Sequence, residues 1–123
     1  MTEELVTLDT AKLLKEKGFD EPCSIAINIE DGRKYISNRT NSEMPRKVCT
    51  QPTQSIAHKW LRETKNIHIC VYNCACGYGY EIYKADNGTH IASSTYKGTN
   101  DGGKWNTYEE SLEAGIKECL KLI

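Results

Sequence analysis

The stretch from residue 66 to 96, NIHICVYNCACGYGYEIYKADNGTHIASSTY, limits what this chain can fold into more than any other segment. Ile67, Ile69 and Val71 alternate with His68, Cys70 and Tyr72, the period of two that gives a strand two different faces. A second strand is expected from about Gly77 to Ala85. Asp86-Asn87-Gly88 then supplies a turn with glycine where a positive φ is needed, and a third strand is expected from Thr89 to Tyr96. The result is a three-stranded antiparallel meander. The same stretch holds three of the six cysteines, two of the three histidines and five of the seven tyrosines, so a chemical site is sought there first.

The flanking segments carry helical and hairpin signals. Residues 7 to 18 read as a helix capped by Thr7 or Asp9, with Leu8, Ala11 and Leu14 at helical spacing, Gly18 as its left-handed stop and Phe19 as a core anchor. Residues 23 to 38 read as a β-hairpin, with Ile25, Ile27 and Ile29 alternating, Asp31-Gly32 at the turn, and Glu30 and Arg33 placed to pair across it. Residues 39 to 51 show no period and are expected to be a connecting loop. A second helix over 52 to 64 presents Ile56, Ala57, Trp60 and Leu61 on one face. The last helix starts at Thr107, whose spacing to Glu110 is that of a capping box. Its buried face is Leu112, Ile116, Cys119, Leu120 and Ile123.

The expected order is therefore α-ββ-α-βββ-α. It describes an α+β chain of one domain over residues 1–123, in which an antiparallel sheet, the N-terminal hairpin plus the meander, packs against helices. A length of 123 residues suits one domain with a real core. The 16 basic and 17 acidic residues leave no basic excess of the kind a duplex-binding protein uses to neutralise phosphates. No apolar run approaches the roughly 20 residues that span a bilayer, and residues 1–12 lack the pattern of a secretory signal. The cytoplasm is the expected location, with the cysteines as thiols.

Five constellations carry candidate chemistry. His68, Cys70, Cys74 and Cys76 form H-x-C-x₃-C-x-C, a set of nitrogen and sulfur donors for zinc, although the spacing departs from the two-residue knuckle; packing thiols are the alternative. A Cys70 nucleophile with His68 or His90 as base has no supporting signature around it. Tyr72, Tyr78 and Tyr80 are strand aromatics that on an open sheet would stack bases, or otherwise pack as strand formers. The loop KGTNDGGKW offers Lys97, Asn100, Lys104 and an exposed Trp105 to an anion, without matching the phosphate-loop pattern; a plain connector is the alternative. Arg46 and Lys47 belong to a locally basic run with Arg33, Lys34 and Arg39, readable as an anion patch or as a solvated surface.

Three blocks, EELVTLDTAKLLKEKGFDEPC, PTQSIAHKWLRE and YEESLEAGIKECLKLI, resemble in order and separation a group of short proteins from gut Bacteroidales and their phages and prophages. The resemblance covers about half the chain and lies on the helices. It implies a phage-like accessory protein acting inside a bacterial cell, and it carries over no catalytic residue. The expectation is a small non-enzymatic binding protein that sequesters or modulates a host component, a small anionic ligand of the nucleotide-signal type or a host protein, in the manner of an anti-defence factor. The alternatives are a single-stranded nucleic-acid accessory protein and a small structural zinc module. No other cofactor and no membrane partner is expected. Gly115, on the apolar face of the last helix, would permit close helix approach in a homo-oligomer.

Overall fold

In the computed structural model, which describes residues 4–74, 77–94 and 105–123, the chain forms two compact units, Met1–Ala57 and His58–Ile123. Each contains a three-stranded antiparallel sheet. The α+β class holds and the expected order holds roughly, with one strand added after the hairpin, but the hairpin and the meander, expected in one sheet, belong to separate sheets.

The first unit starts with α1 (Leu8–Glu16). The Thr7 side chain accepts from the Thr10 N–H at 3.4 Å, and Gly18 closes the helix with φ +93°. Strands β1 (Ile25–Asn28), β2 (Lys34–Ile36) and β3 (Val48–Thr50) pair in the order β2-β1-β3. At the hairpin turn the Asn28 side chain accepts from the N–H groups of Glu30 and Asp31, and Gly32 takes φ +74°. Glu30 does not pair with Arg33 as expected: it meets Lys47 at 3.3 Å, while Arg33 reaches Asp31 at 3.9 Å. The core is built from Val6, Ala11, Leu14, Phe19, Ala26, Ile27 and Cys49.

The segment expected as a loop is partly ordered. Asn41–Glu43 is a 3₁₀ turn and Val48–Thr50 is the third strand of the sheet. Three residues are too few to show a period. Buried Asn41 fixes the segment, donating to the Phe19 carbonyl at 2.7 Å and accepting from the Thr50 N–H at 2.8 Å. A signal was present: the Thr40 N–H donates to the Glu43 carboxylate at 2.9 Å, the three-residue spacing of a capping box.

Helix α2 (Gln54–Lys65) buries Ala57, Trp60 and Leu61, but Ile56 is exposed, contrary to the expected face. Asn66 ends it in the left-handed region at φ 58°, and its side-chain and backbone oxygens accept from Asp86 and Ala85. The second sheet follows with β4 (Ile67–Cys74), β5 (Gly77–Lys84) and β6 (His90–Ser93), in the order β4-β5-β6. Eight aligned pairs join β4 to β5, from Ile67↔Lys84 to Cys74↔Gly77. Helix α3 (Tyr108–Leu122), capped by the Thr107 hydroxyl on the Glu110 N–H at 3.1 Å, packs on β4 and β5.

Ile67, Ile69, Tyr80, Ile82, Leu112, Ile116, Cys119 and Leu120 are the buried interior of this second unit. Each fully buried branched side chain contributes about 1.5–3 kcal/mol. Gly115 belongs to this packing: a Cβ there would lie 3.0 Å from Ile69 Cγ2 and 3.4 Å from Tyr80 Cγ. Its closeness serves the sheet rather than a second helix. Gly115→Leu raises intrinsic helix propensity, yet it is expected to lower the unfolding free energy in urea by about 2 kcal/mol or more through overpacking. An unchanged or higher midpoint would show that α3 does not press on the sheet here.

Candidate functional site

Directly opposed residues of an antiparallel pair lie on one face. The β4–β5 register therefore puts Ile69, Val71, Tyr78, Tyr80 and Ile82 on the face that α3 covers. His68, Cys70, Tyr72, Glu81 and Tyr83 lie on the other. The three tyrosines expected to act together are thus divided. Tyr80 is 3% exposed, and burial, reinforced by Glu118 and Cys119, pushes its phenol up to about 12. Tyr78 and Trp105 form an isolated bridge, with the Tyr78 N–H donating to the Trp105 carbonyl at 2.8 Å. The Trp105 ring lies 5.5 Å from that of Tyr80. Trp105, expected to be exposed, is half-buried and extends the sheet where β6 ends.

The outer face is polar and solvent-accessible. At its centre Glu81 accepts from the Ser93 hydroxyl at 2.9 Å and contacts His90 Nε2 at 2.7 Å. A carboxylate only accepts, so His90 carries its proton on Nε2. Tyr83 lies edge-on to His90, with ring centroids 5.5 Å apart, and opposes His68 across the strands. Cys70 opposes Glu81 and is exposed, while the Tyr72 hydroxyl lies 3.3 Å from Ser94 Oγ.

This cluster depends on a β-bulge between Ile82 and Tyr83. Glu81 pairs with Ser93 and Ile82 with Ala92, but Tyr83 pairs with His90. Strict alternation would set Ile91 opposite Tyr83. The extra residue replaces an isoleucine on the open face with a histidine, as bulges re-aim side chains. Sequence alternation assigned His90 to neither face and gave Glu81 and Ser93 no role.

At the outer edge of β4, His58 Nε2 from α2 accepts the Ile69 N–H at 3.0 Å, and its ring lies 5.1 Å from His68. This bond requires a neutral imidazole with its proton on Nδ1. Burial first, then Arg62 and His68, pull the His58 pKa down to about 4. The unfolded chain then takes up a proton that the folded chain refuses between about pH 6.5 and 4. Stability is full above pH 6.5 and falls as pH drops toward 4, by roughly 1–2 kcal/mol, the scale of one buried hydrogen bond. His58→Gln is expected to flatten that part of the stability–pH curve. An equally steep curve for the variant would remove His58 from the account.

The remaining candidates are dispersed. His68 and Cys70 share the outer face, Cys74 ends β4 opposite Gly77, and Cys76 lies outside the described residues. Among the described residues no group of three His, Cys, Asp or Glu is placed to hold a metal. Lys97, Asn100 and Lys104 also lie outside the described residues; on either side of that segment, Ser94 Oγ accepts from the Tyr80 N–H at 2.9 Å and the Trp105 carbonyl accepts from the Tyr78 N–H. Arg46 and Lys47 are exposed residues of the first unit. Cys23, Cys49 and Cys119 are buried thiols whose pKa values burial raises, that of Cys119 to about 12. Of the four cysteines with described side chains, Cys70 alone is expected to react with iodoacetamide in the folded protein. Peptide mapping that found Cys49 or Cys119 modified at a similar rate would contradict their burial.

No helix among the described residues is long and apolar enough to cross a membrane. No family model, curated protein or solved structure matches this chain.

Proposed function

We propose that this chain is a small binding protein that captures a nucleobase-bearing ligand on the outer face of β4–β6, inside a bacterial cell, as a phage-like accessory factor that withholds a host nucleotide signal. The observation that carries the reading is the Glu81 carboxylate, held by His90 and Ser93 in the middle of an open sheet face and bordered by the Tyr83, His68 and Tyr72 rings. Rings give a heterocycle a stacking surface, and a fixed carboxylate accepts from its ring N–H and exocyclic amine groups. Holding Glu81 in advance removes part of the ordering cost of binding. The cellular context rests on the resemblance of the three helical blocks to Bacteroidales phage proteins.

Binding without turnover is the expected behaviour. Equilibrium titration with the four ribonucleoside monophosphates, followed by ring proton signals of Tyr83, His68 and His90, should show saturable shifts with a preference for a base that presents N–H donors. Glu81→Gln should weaken that binding by about 1.5–3 kcal/mol, the worth of a charge-assisted hydrogen bond, and Tyr83→Ala by about 1–3 kcal/mol, the worth of one stacked base. Release of any product, or affinities indifferent to both substitutions, would sink the proposal. The single-stranded nucleic-acid alternative predicts affinity that grows with oligonucleotide length and falls steeply with salt.

A further inference from the structure

The first unit has an uncovered sheet edge. Strand β2 is exposed along its whole length, Ile36 at 93% and Tyr35 at 45%. The Asn28 N–H donates to the Arg33 carbonyl at 2.8 Å and the Ser37 N–H to the Ser24 carbonyl at 2.9 Å. With Ala26 opposite Tyr35, the alternation of an antiparallel ladder directs the N–H and C=O groups of Lys34 and Ile36 away from β1. These are the groups a further strand would pair with. Native sheets usually shorten, cover or charge such an edge. Here it is short but carries the most exposed large apolar side chain among the described residues.

Beside the edge lies an open groove of about 410 Å³, lined by Ala26, Tyr35, Asn38, Arg39, Met44 and Val48. Its surroundings are cationic. Arg33 and Lys47 have acidic partners in Asp31 and Glu30, whereas Lys34, Arg39 and Arg46 make no ion pair among the described residues. Glu43 is the one acidic residue between Arg33 and Lys47.

We propose that β2 is a docking edge for an extended acidic segment of a partner protein, which adds as a fourth strand beyond β2 and places alternate apolar side chains over the Tyr35–Met44 groove. The backbone supplies the pairing, the groove selects apolar side chains at every second position, and Lys34, Arg39 and Arg46 select acidic residues between them. A second copy of this chain fits worse. Pairing β2 with itself would bring together two edges of the same basic charge, with no acidic residue between Lys34 and Arg39 of either copy to meet those side chains.

The probe is a fluorescein-labelled eight-residue peptide alternating valine and glutamate, with a valine–lysine peptide of the same length as control. Fluorescence anisotropy should show saturable binding of the acidic peptide and at least about tenfold weaker binding of the basic one, a difference of about 1.4 kcal/mol. On binding, amide exchange at Lys34 and Ile36 should slow. Ile36→Pro removes one outward N–H at an exposed position and should abolish the interaction, while circular dichroism and the thermal midpoint stay as in the parent. Lys34→Glu with Arg39→Glu should reverse the peptide preference. Three outcomes would overturn the proposal: no binding of the acidic peptide; binding that survives Ile36→Pro, which would make the site a charge patch for any polyanion, oligonucleotides included; or concentration-dependent dimerisation in sedimentation that Ile36→Pro removes, which would assign the edge to a second copy.

Discussion

The register between β4 and β5 is the constraint on which the second unit rests. Eight consecutive pairs set Ile69 against Ile82 and Val71 against Tyr80. That choice sends one set of side chains under α3 and exposes the other. A slip of one residue would exchange the two sets, because side chains alternate with a period of two. Burial makes the choice decisive: it would put Glu81 and Tyr83 beneath the helix and Ile82 in water. Gly115 tightens it further, since the helix comes close to the Ile69 and Tyr80 side chains.

The same register explains how strand edges are treated. At β4 the outward N–H of Ile69 is taken by His58. At β5 the outward N–H groups of Tyr78 and Tyr80 are taken by the Trp105 carbonyl and the Ser94 hydroxyl, beyond the end of β6. Side chains and an isolated bridge thus satisfy donors that the strands leave over. In the first unit β1 is paired on both sides, yet β2 turns its outward groups to solvent. That contrast gives the β2 edge its meaning as an interaction surface.

Much of this architecture was legible in the amino-acid order. Alternation over residues 67–72 and the Asp86-Asn87-Gly88 turn placed the meander, and Thr7, Gly18 and Thr107 marked helix ends that the structure bears out. β3 was not legible, because Val48–Thr50 is too short to display a period and is held by the side chain of Asn41, a contact that composition does not announce. The candidate site was half legible. His68, Cys70 and Tyr72 were correctly set on one face. Tyr78 and Tyr80 went astray because alternation within a strand cannot say which of its two faces joins which face of the next; that requires the register. The pairing of His90 with Tyr83 was not legible, because a bulge resets the alternation without changing composition. Glu81 drew no notice, since a lone carboxylate acquires significance only from the Ser93 and His90 groups that meet it.

The most direct test of this account is the set of Hα–Hα nuclear Overhauser contacts across β4 and β5. The Ala85 N–H donates to the Asn66 carbonyl, so Ile69–Ile82 and Val71–Tyr80 are the closely spaced, non-hydrogen-bonded pairs, where opposed Cα atoms lie about 4.5 Å apart. Strong contacts within those two pairs are predicted. Contacts that instead join Ile69 to Glu81 or Tyr83 would contradict the register, and with it the assignment of Glu81 and Tyr83 to the open face.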